Sequence, residues 1–315
     1  MKVSSKEVAS FLNHLKSQVS PLPCSSPPSP ASPPAVSSPI SMGDNVVDLT
    51  GSTSESPSRP SKRARASACP CQPFYLLAAE PPSSLDNSRC LSMREVISAE
   101  ESHPIEEVVL FNFLVDMNWL LEEVPSVTAT PCTIFHGSRQ DIAAPSLLEA
   151  FPRLIIAKVQ VSIPYGTHHS KLGFIFYTHG VRVLIGTNNL IPVDNIYKTQ
   201  GIYVQDFPLK ASVTTSSEFE QDLVDYLQEI KVDLSCSSLK QANLRLQDLI
   251  TRIKQYDFND AEVMIVASVP GYHSGTNLNK WGHMRLRTIL EKHPLPEYFT
   301  PDCPLVIQVS SIGES

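Results

Sequence analysis

The sequence predicts an α/β protein, a mixed sheet with helices on both faces, carried behind a long N-terminal arm. Three observations predict it. From residue 73 onward, apolar runs of strand length alternate with amphipathic runs of helix length, the pattern of an α/β domain. The 27 prolines of the 315-residue chain exceed what one evenly folded chain carries, and the excess sits near the N-terminus. Finally, "SKLGFIFY" and "VRVLIGT" flank "THG" (Thr178–Gly180), which reads as a hairpin.

The arm comes first. Ser4 and Glu7 have capping-box spacing, and Val8, Phe11, Leu12 and Leu15 then share one helical face. This is a partner-binding helix or a transient helix in a disordered arm. From Pro21 to about Ala68 the chain is Pro/Ser-rich and too poor in apolar residues to offset ordering entropy, so residues 1–72 read as a disordered arm. "DNVVDLTG" places Val46, Val47 and Leu49 between acids and resembles a SUMO-interacting motif, a short apolar segment that adds a strand to a sheet edge. "RPSKRARA", with Lys62, Arg63 and Arg65, reads as a nuclear import signal or as a solvated linker cluster.

Around Gln72 the composition shifts, and "FYLLAA" opens folded sequence. "SMREVISAE" reads as a helix start. "EEVVLFNFLVDMNWLLEEVP" divides into a helix or strand around "VVLFNFLVD" and a short helix at "MNWLLEEV". "CTIFHG" is a buried strand ending at a glycine. "DIAAPSLLEAF" suggests a helix interrupted at Pro145, and "RLIIAKVQVSI" is a β-branched strand. In Ser217–Ile230, Phe219, Leu223, Tyr226, Leu227 and Ile230 fall on one helical face. Leu239–Tyr256 is a second amphipathic helix, and "AEVMIVASVP" (Ala261–Pro270) is predicted to be a core strand. "KWGHMRLRTILEKH" is a basic helix whose Arg285 and Arg287 read as solvated charges. "CPLVIQVSSIGES" is one more strand.

Composition narrows the function classes. A formal charge of −7 means that any nucleic-acid binding must come from a local patch. No apolar run reaches the roughly 18 residues of a membrane span. The polar start "MKVSSKEVASFLNHLKSQ" is not a signal peptide. The seven cysteines are scattered, and Cys69–Pro70–Cys71 has no second close pair to complete a zinc site, so free thiols in a reducing, intracellular setting are expected.

Polar residues gather at the open end of the hairpin. Successive strand residues point to opposite faces, so Thr167, His169 and Lys171 share one face and His168, Ser170 and Leu172 the other. With a three-residue loop, Tyr177 opposes Val181, Lys171 opposes Thr187, and His169 opposes Asn189. An imidazole, an ammonium and a carboxamide then meet on one face. The set suits phosphoryl transfer: an imidazole attacks phosphorus, a lysine offsets charge on the non-bridging oxygens, and an amide hydrogen-bonds them. No Asp/Glu cluster lies nearby to hold Mg²⁺, so neither metal nor cofactor is expected. A metal site from His168, His169 and His179 is the weaker alternative, since His168 and His169 face opposite ways.

H-x-K followed by an Asn at the end of the next strand resembles the half-site of the phospholipase D superfamily. "PYGTHHSK … VRVLIGTNNLI … KTQGI" is similar to one branch, the tyrosyl-DNA phosphodiesterases acting on DNA 3′ ends. "FNFLVDMNWLL", "IFHG", "FEQDLVDYL", "NKWGHMRLRTIL" and "SSIG" resemble that family in order, covering about residues 73 to 315. The resemblance implies a phospholipase D-like fold and hydrolysis of topoisomerase I-derived 3′-phosphotyrosyl bonds during DNA strand-break repair. It implies His169 as a nucleophile forming a phosphohistidine, Lys171 and Asn189 on the phosphate oxygens, and Gln200 orienting groups of the site. It also implies Tyr165 stacking on a base, Ser310 and Ser311 on DNA phosphates, and a monomeric nuclear protein whose partners are DNA 3′ ends and, through the arm, SUMO. Many superfamily members carry an Asp five residues after the Lys; here Phe176 stands there, as is usual in this branch.

The family joins two unlike halves, each with one H-x-K, so the resemblance implies that residues 73–300 form one half-domain and 301–315 the start of a second. No second H-x-K follows Lys171: His273 is followed by Ser274 and Gly275, and the next lysine is Lys280. The expectation is therefore a truncated member, either an enzyme short of its general acid or a module that binds DNA ends or SUMO-modified partners without chemistry. A pairing of two chains, each giving one His, is a third alternative.

Overall fold

The computed structural model describes residues 73–79, 90–98, 104–164, 166–212, 215–232 and 237–293. The arm helix, Val46, Val47, Leu49, Lys62, Arg63, Arg65, Tyr165, Ser310, Ser311 and the last strand lie outside the described residues.

Nine strands form one mixed sheet among the described residues: β1 (Phe74–Leu77), β2 (Cys90–Leu91), β3 (Ile105–Asn112), β4 (Cys132–His136), β5 (Leu154–Gln160), β6 (Leu172–Tyr177), β7 (Gly180–Gly186), β8 (Gly201–Pro208) and β9 (Lys231–Val232). Their order is β2-β1-β8-β7-β6-β3-β4-β5-β9. β3, β4 and β5 run parallel, while β6, β7 and β8 form an antiparallel meander beside them.

The helices are α1 (Met93–Val96), α2 (Met117–Glu123), α3 (Ser126–Ala129), α4 (Pro145–Ala150), α5 (Pro192–Ile196), α6 (Glu218–Glu229), α7 (Ser237–Ile253) and α8 (Gly282–Lys292). Local chemistry starts several of them. Ser92 and Glu95 close a capping box on α1, and Asp116 and Ser217 cap α2 and α6. Pro145 opens α4 instead of interrupting a longer helix, because a first-turn residue has no helical N–H partner to lose.

Alternation along the strands builds both sides of the sheet. Phe111, Phe135, Phe174, Phe176 and Phe207 join Phe219, Leu223 and Leu227 of α6 and Leu246, Leu249 and Ile253 of α7 in one core. Each large side chain so buried contributes about 1.5–3 kcal/mol. Leu110, Ile134 and Ile175 point the other way and are also buried. That side carries α1, where Arg182 donates to Val96 O, and Tyr177 donates to Ser98 O just past the helix.

Three expectations need correction. The hairpin turn holds two residues, not three: Tyr177 pairs with Gly180 and Phe176 with Val181. Gly180 belongs to the ladder because β8 passes so close that a Cβ there would lie 2.6 Å from Phe207 O. Ala261–Pro270 pairs with no strand among the described residues. Val263, Ile265, Ala267 and Val269 pack on the core while Met264 and Val266 stay 45% and 41% exposed, and no described strand runs alongside. Arg285 is not solvated: only 11% of its side chain is exposed, 2.7 Å from Asp222.

Candidate active site

The site sits where β3, β4 and β7 end and β6 begins. Backbone bonds tie these loops together: Leu190 N donates to Leu114 O and Asp116 N to Leu190 O, locking residues 187–190 onto the segment after β3. Gly186 N donates to Lys171 O, one step beyond the β6 ladder.

His169 and Lys171 lie just before β6. The two-residue turn moves the register, so Leu172 faces Ile185, and neither of their expected partners (Asn189 for His169, Thr187 for Lys171) stands opposite. They meet nonetheless. Lys171 Nζ sits 3.0 Å from His169 Nδ1 and 2.9 Å from His169 O. The exposed His169 ring lies against Phe113 at 4.8 Å between centroids. Partial burial and the Lys171 charge lower its pKa below the ordinary histidine value, so the ring is neutral at pH 7. Burial brings Lys171 down to about 8, and the nearby Asp194 charge opposes that drop.

The neighbouring side chains face inward and hold the segment. His168 is 6% exposed, its ring near Phe111, with a pKa lowered to about 4 by burial and by the Lys171 charge. Its carbonyl packs on Gly137, where a Cβ would come within 2.0 Å of His168 O. The glycine that ends "IFHG" is therefore a close-approach position against the backbone that leads into His169. Ser170 accepts a 2.5 Å hydrogen bond from Tyr226 of α6.

Asn189 is set by a residue that sequence reasoning missed. Asp194, 4% exposed in α5, accepts from Asn189 N at 2.9 Å and Asn189 Nδ2 at 2.8 Å, and pairs with Lys198 at 2.7 Å. Burial opposes its ionisation, but these bonds win and keep it a carboxylate. The signal was present as N-x₄-D-x₃-K, Asn189, Asp194 and Lys198, with the last two at helix spacing. Thr187 donates to Gln200 Oε1, and Gln200 makes no hydrogen bond to His169 or Lys171. Thr187, Phe113, Gly137 and Tyr226 were likewise not singled out as parts of the site.

A cavity of about 600 Å³ opens on His169, Lys171 and Thr187 and is walled by Leu172, Ile185 and the Ile265–Pro270 run. Among the described residues no group of three or more His, Cys, Asp or Glu side chains is placed to bind a metal ion.

Comparison with known proteins identifies the family. The family model "Tyrosyl-DNA phosphodiesterase" matches residues 73–315. Tyrosyl-DNA phosphodiesterase 1 of Arabidopsis thaliana is 37% identical over 245 residues, covering 76% of this chain and 39% of the relative. The Drosophila melanogaster protein of the same name is 32% identical over 238 residues, covering 71% and 38%. The crystal structure of the yeast tyrosyl-DNA phosphodiesterase shares the fold, with a TM-score of 0.51 at 17% identity over 70% of this chain and 48% of that one. The chain thus spans well under half the length of these two curated relatives. The match spans residues 73–315, most of the chain and the range that holds His169, Lys171 and Asn189, and on that ground the chain belongs to the tyrosyl-DNA phosphodiesterase family.

Proposed function

We propose that this protein attacks 3′-phosphotyrosyl bonds at DNA ends, with His169 as the nucleophile of a covalent phosphohistidine step in strand-break repair. The observation that carries this reading is the exposed, neutral imidazole of His169 within 3.0 Å of an ammonium. In the step, His169 Nε2 forms a bond to phosphorus and the bond from phosphorus to the tyrosyl oxygen breaks. The phenolate carries off the electron pair; its conjugate acid has a pKa near 10, so it leaves more readily than an alkoxide.

Lys171 has two tasks in sequence. At rest its ammonium donates to His169 Nδ1, which leaves the imidazole proton on Nε2, the nitrogen that must attack. A bound phosphate diester draws the ammonium onto its non-bridging oxygens, where charge develops. Nδ1 is then free to take the proton, and the Nε2 lone pair is released. Asn189, held by Asp194, offers its second amide hydrogen to the same oxygens. The remaining expectations belong to this reading: Gln200 as an orienting group, a monomer working in the nucleus, and SUMO contacted through the arm.

A second reading is that the chain captures DNA ends without turning over, since among the described residues His169–Lys171 is the one H-x-K. General acid–base help is worth about 10²–10⁴-fold, so a site without it stalls after attack. A 3′-phosphotyrosyl oligonucleotide on a denaturing gel separates the readings. Release of 3′-phosphate DNA that is lost in His169→Ala supports full turnover. A His169-dependent protein–DNA adduct without release supports capture. Neither product would overturn His169 as the nucleophile.

A further inference from the structure

The cavity at His169 carries two opposite charges. Among the described residues, Lys171 is the one Lys or Arg in its lining and Asp222 the one carboxylate. Most of the remaining wall is apolar, from Leu172, Ile185, Leu223 and the Ile265–Pro270 run. Asp222 sits one turn before Tyr226 on α6, so both reach the same cavity.

Asp222 is held in place from behind. Its Oδ2 accepts from Arg285 Nη2 at 2.7 Å, and its side chain is 19% exposed. Its Oδ1 accepts no hydrogen bond among the described residues and keeps contact with solvent. Burial raises the Asp222 pKa, while the bond to Arg285 opposes this and favours the carboxylate. Arg285 is more deeply buried and does not line the cavity, so a ligand there meets the carboxylate first.

The two charges divide the space. A phosphate diester belongs at Lys171. A nucleic-acid strand continuing past it into this cavity would set its next phosphates against a carboxylate and an apolar wall, with no further cation to receive them. A phenol ring suits that wall, and a cation attached to the ring suits Asp222.

We infer that Asp222 selects the leaving group by charge: it favours a phenol that carries an ammonium or guanidinium close to the ring and disfavours one that carries a carboxylate. This rests on the reading of His169 as a nucleophile toward 3′-phosphotyrosyl bonds, and it makes a basic peptide the preferred departing group.

The test compares three esters of one short 3′-phosphate oligothymidylate. The first is with tyramine, which carries an ammonium. The second is with N-acetyltyramine, which is neutral, and the third with 3-(4-hydroxyphenyl)propionate, which carries a carboxylate. All three are phenols with a pKa of about 10, so they leave alike. The readout is the second-order rate of His169-dependent adduct formation by the 315-residue chain. The wild type should favour the tyramine ester over the propionate ester by about tenfold, with the neutral ester between. In Asp222→Asn that ratio should fall to about two or less. Asp222→Asn/Arg285→Gln removes both charges, leaves no buried cation alone, and should flatten the ratio equally. Asp225→Asn makes the same change in charge on the same helix, outside the cavity lining, and should keep the wild-type ratio. A wild-type ratio near one, or a ratio in Asp222→Asn equal to that in Asp225→Asn, would overturn the inference and leave His169 as the nucleophile. No His169-dependent adduct with any of the esters would overturn both.

Discussion

His168 and His169 are adjacent, identical in side chain, and opposite in physics. His168 points into the fold, is buried, and is kept neutral by desolvation down to about pH 4. His169 points out, lies against Phe113 with the rings tilted, and touches an ammonium. The inward side of the segment, with Ser170 bound to Tyr226 and His168 O packed on Gly137, decides where the chain runs. The outward side decides what it can do. Extended backbone separates the two tasks by pointing alternate side chains to opposite faces.

Four substitutions sharpen or break this division. The largest effect is expected for His169→Ala, which should abolish the covalent DNA adduct while changing stability by no more than about 0.5 kcal/mol, as for an exposed site. A loss of stability measured by urea unfolding would show that the outward face also supports the fold. Next is Lys171→Met, expected to slow adduct formation by about 10²–10³-fold. It should also reshape the pH profile of the second-order rate. The wild type needs neutral His169 and charged Lys171. Since the His169 pKa lies below its ordinary value, the rate should be flat across neutral pH and fall above about 8 as Lys171 loses its proton. Lys171→Met should lack that alkaline fall, and a retained fall would assign it to another group.

Third, Gly137→Ala forces a methyl against a backbone oxygen and should cost about 1–3 kcal/mol of stability. It should slow adduct formation too, because the same backbone carries His169; an unchanged rate would detach the inward packing from the chemistry. The smallest effect is expected for Tyr226→Phe. Losing its hydrogen bond to Ser170 should cost about 1 kcal/mol, read as a shift in the urea midpoint without a change in the adduct's pH profile.

Much of this division was legible in the sequence. The strand and helix runs, the buried face of α6 and the opposed directions of His168 and His169 follow from periods of 2 and 3.6 in the residues themselves. The register was not legible, because it depended on whether Gly180 served the turn or the ladder. That was settled by β8, more than twenty residues later in the chain. Lys171 reaches His169 by bending back along its own segment, not through the expected cross-strand pairing. Asp194 escaped notice because a lone acid in a short helix looks like a solvated charge until the loop before it folds back onto the carboxylate. Ala261–Pro270 misled in the other direction. Its alternation is genuine, but alternation reports a half-buried surface and not a hydrogen-bonded neighbour.

That run, unladdered among the described residues, lends the cavity at His169 an uneven stiffness. Ile265 to Pro270 form one wall, and Leu172 and Ile185 of the β6–β7 hairpin form another. Among the described residues, no backbone hydrogen bond engages Val263 to Val266, while the hairpin is bonded on both edges. Deuterium should therefore enter the amides of Val263–Val266 within the first time points and those of Phe174 and Ile175 only after long exposure. A ligand at His169 would meet a rigid wall at the β6–β7 hairpin and a yielding one at Ile265–Pro270. The site would then tolerate bulk toward the yielding wall far better than displacement toward the rigid one.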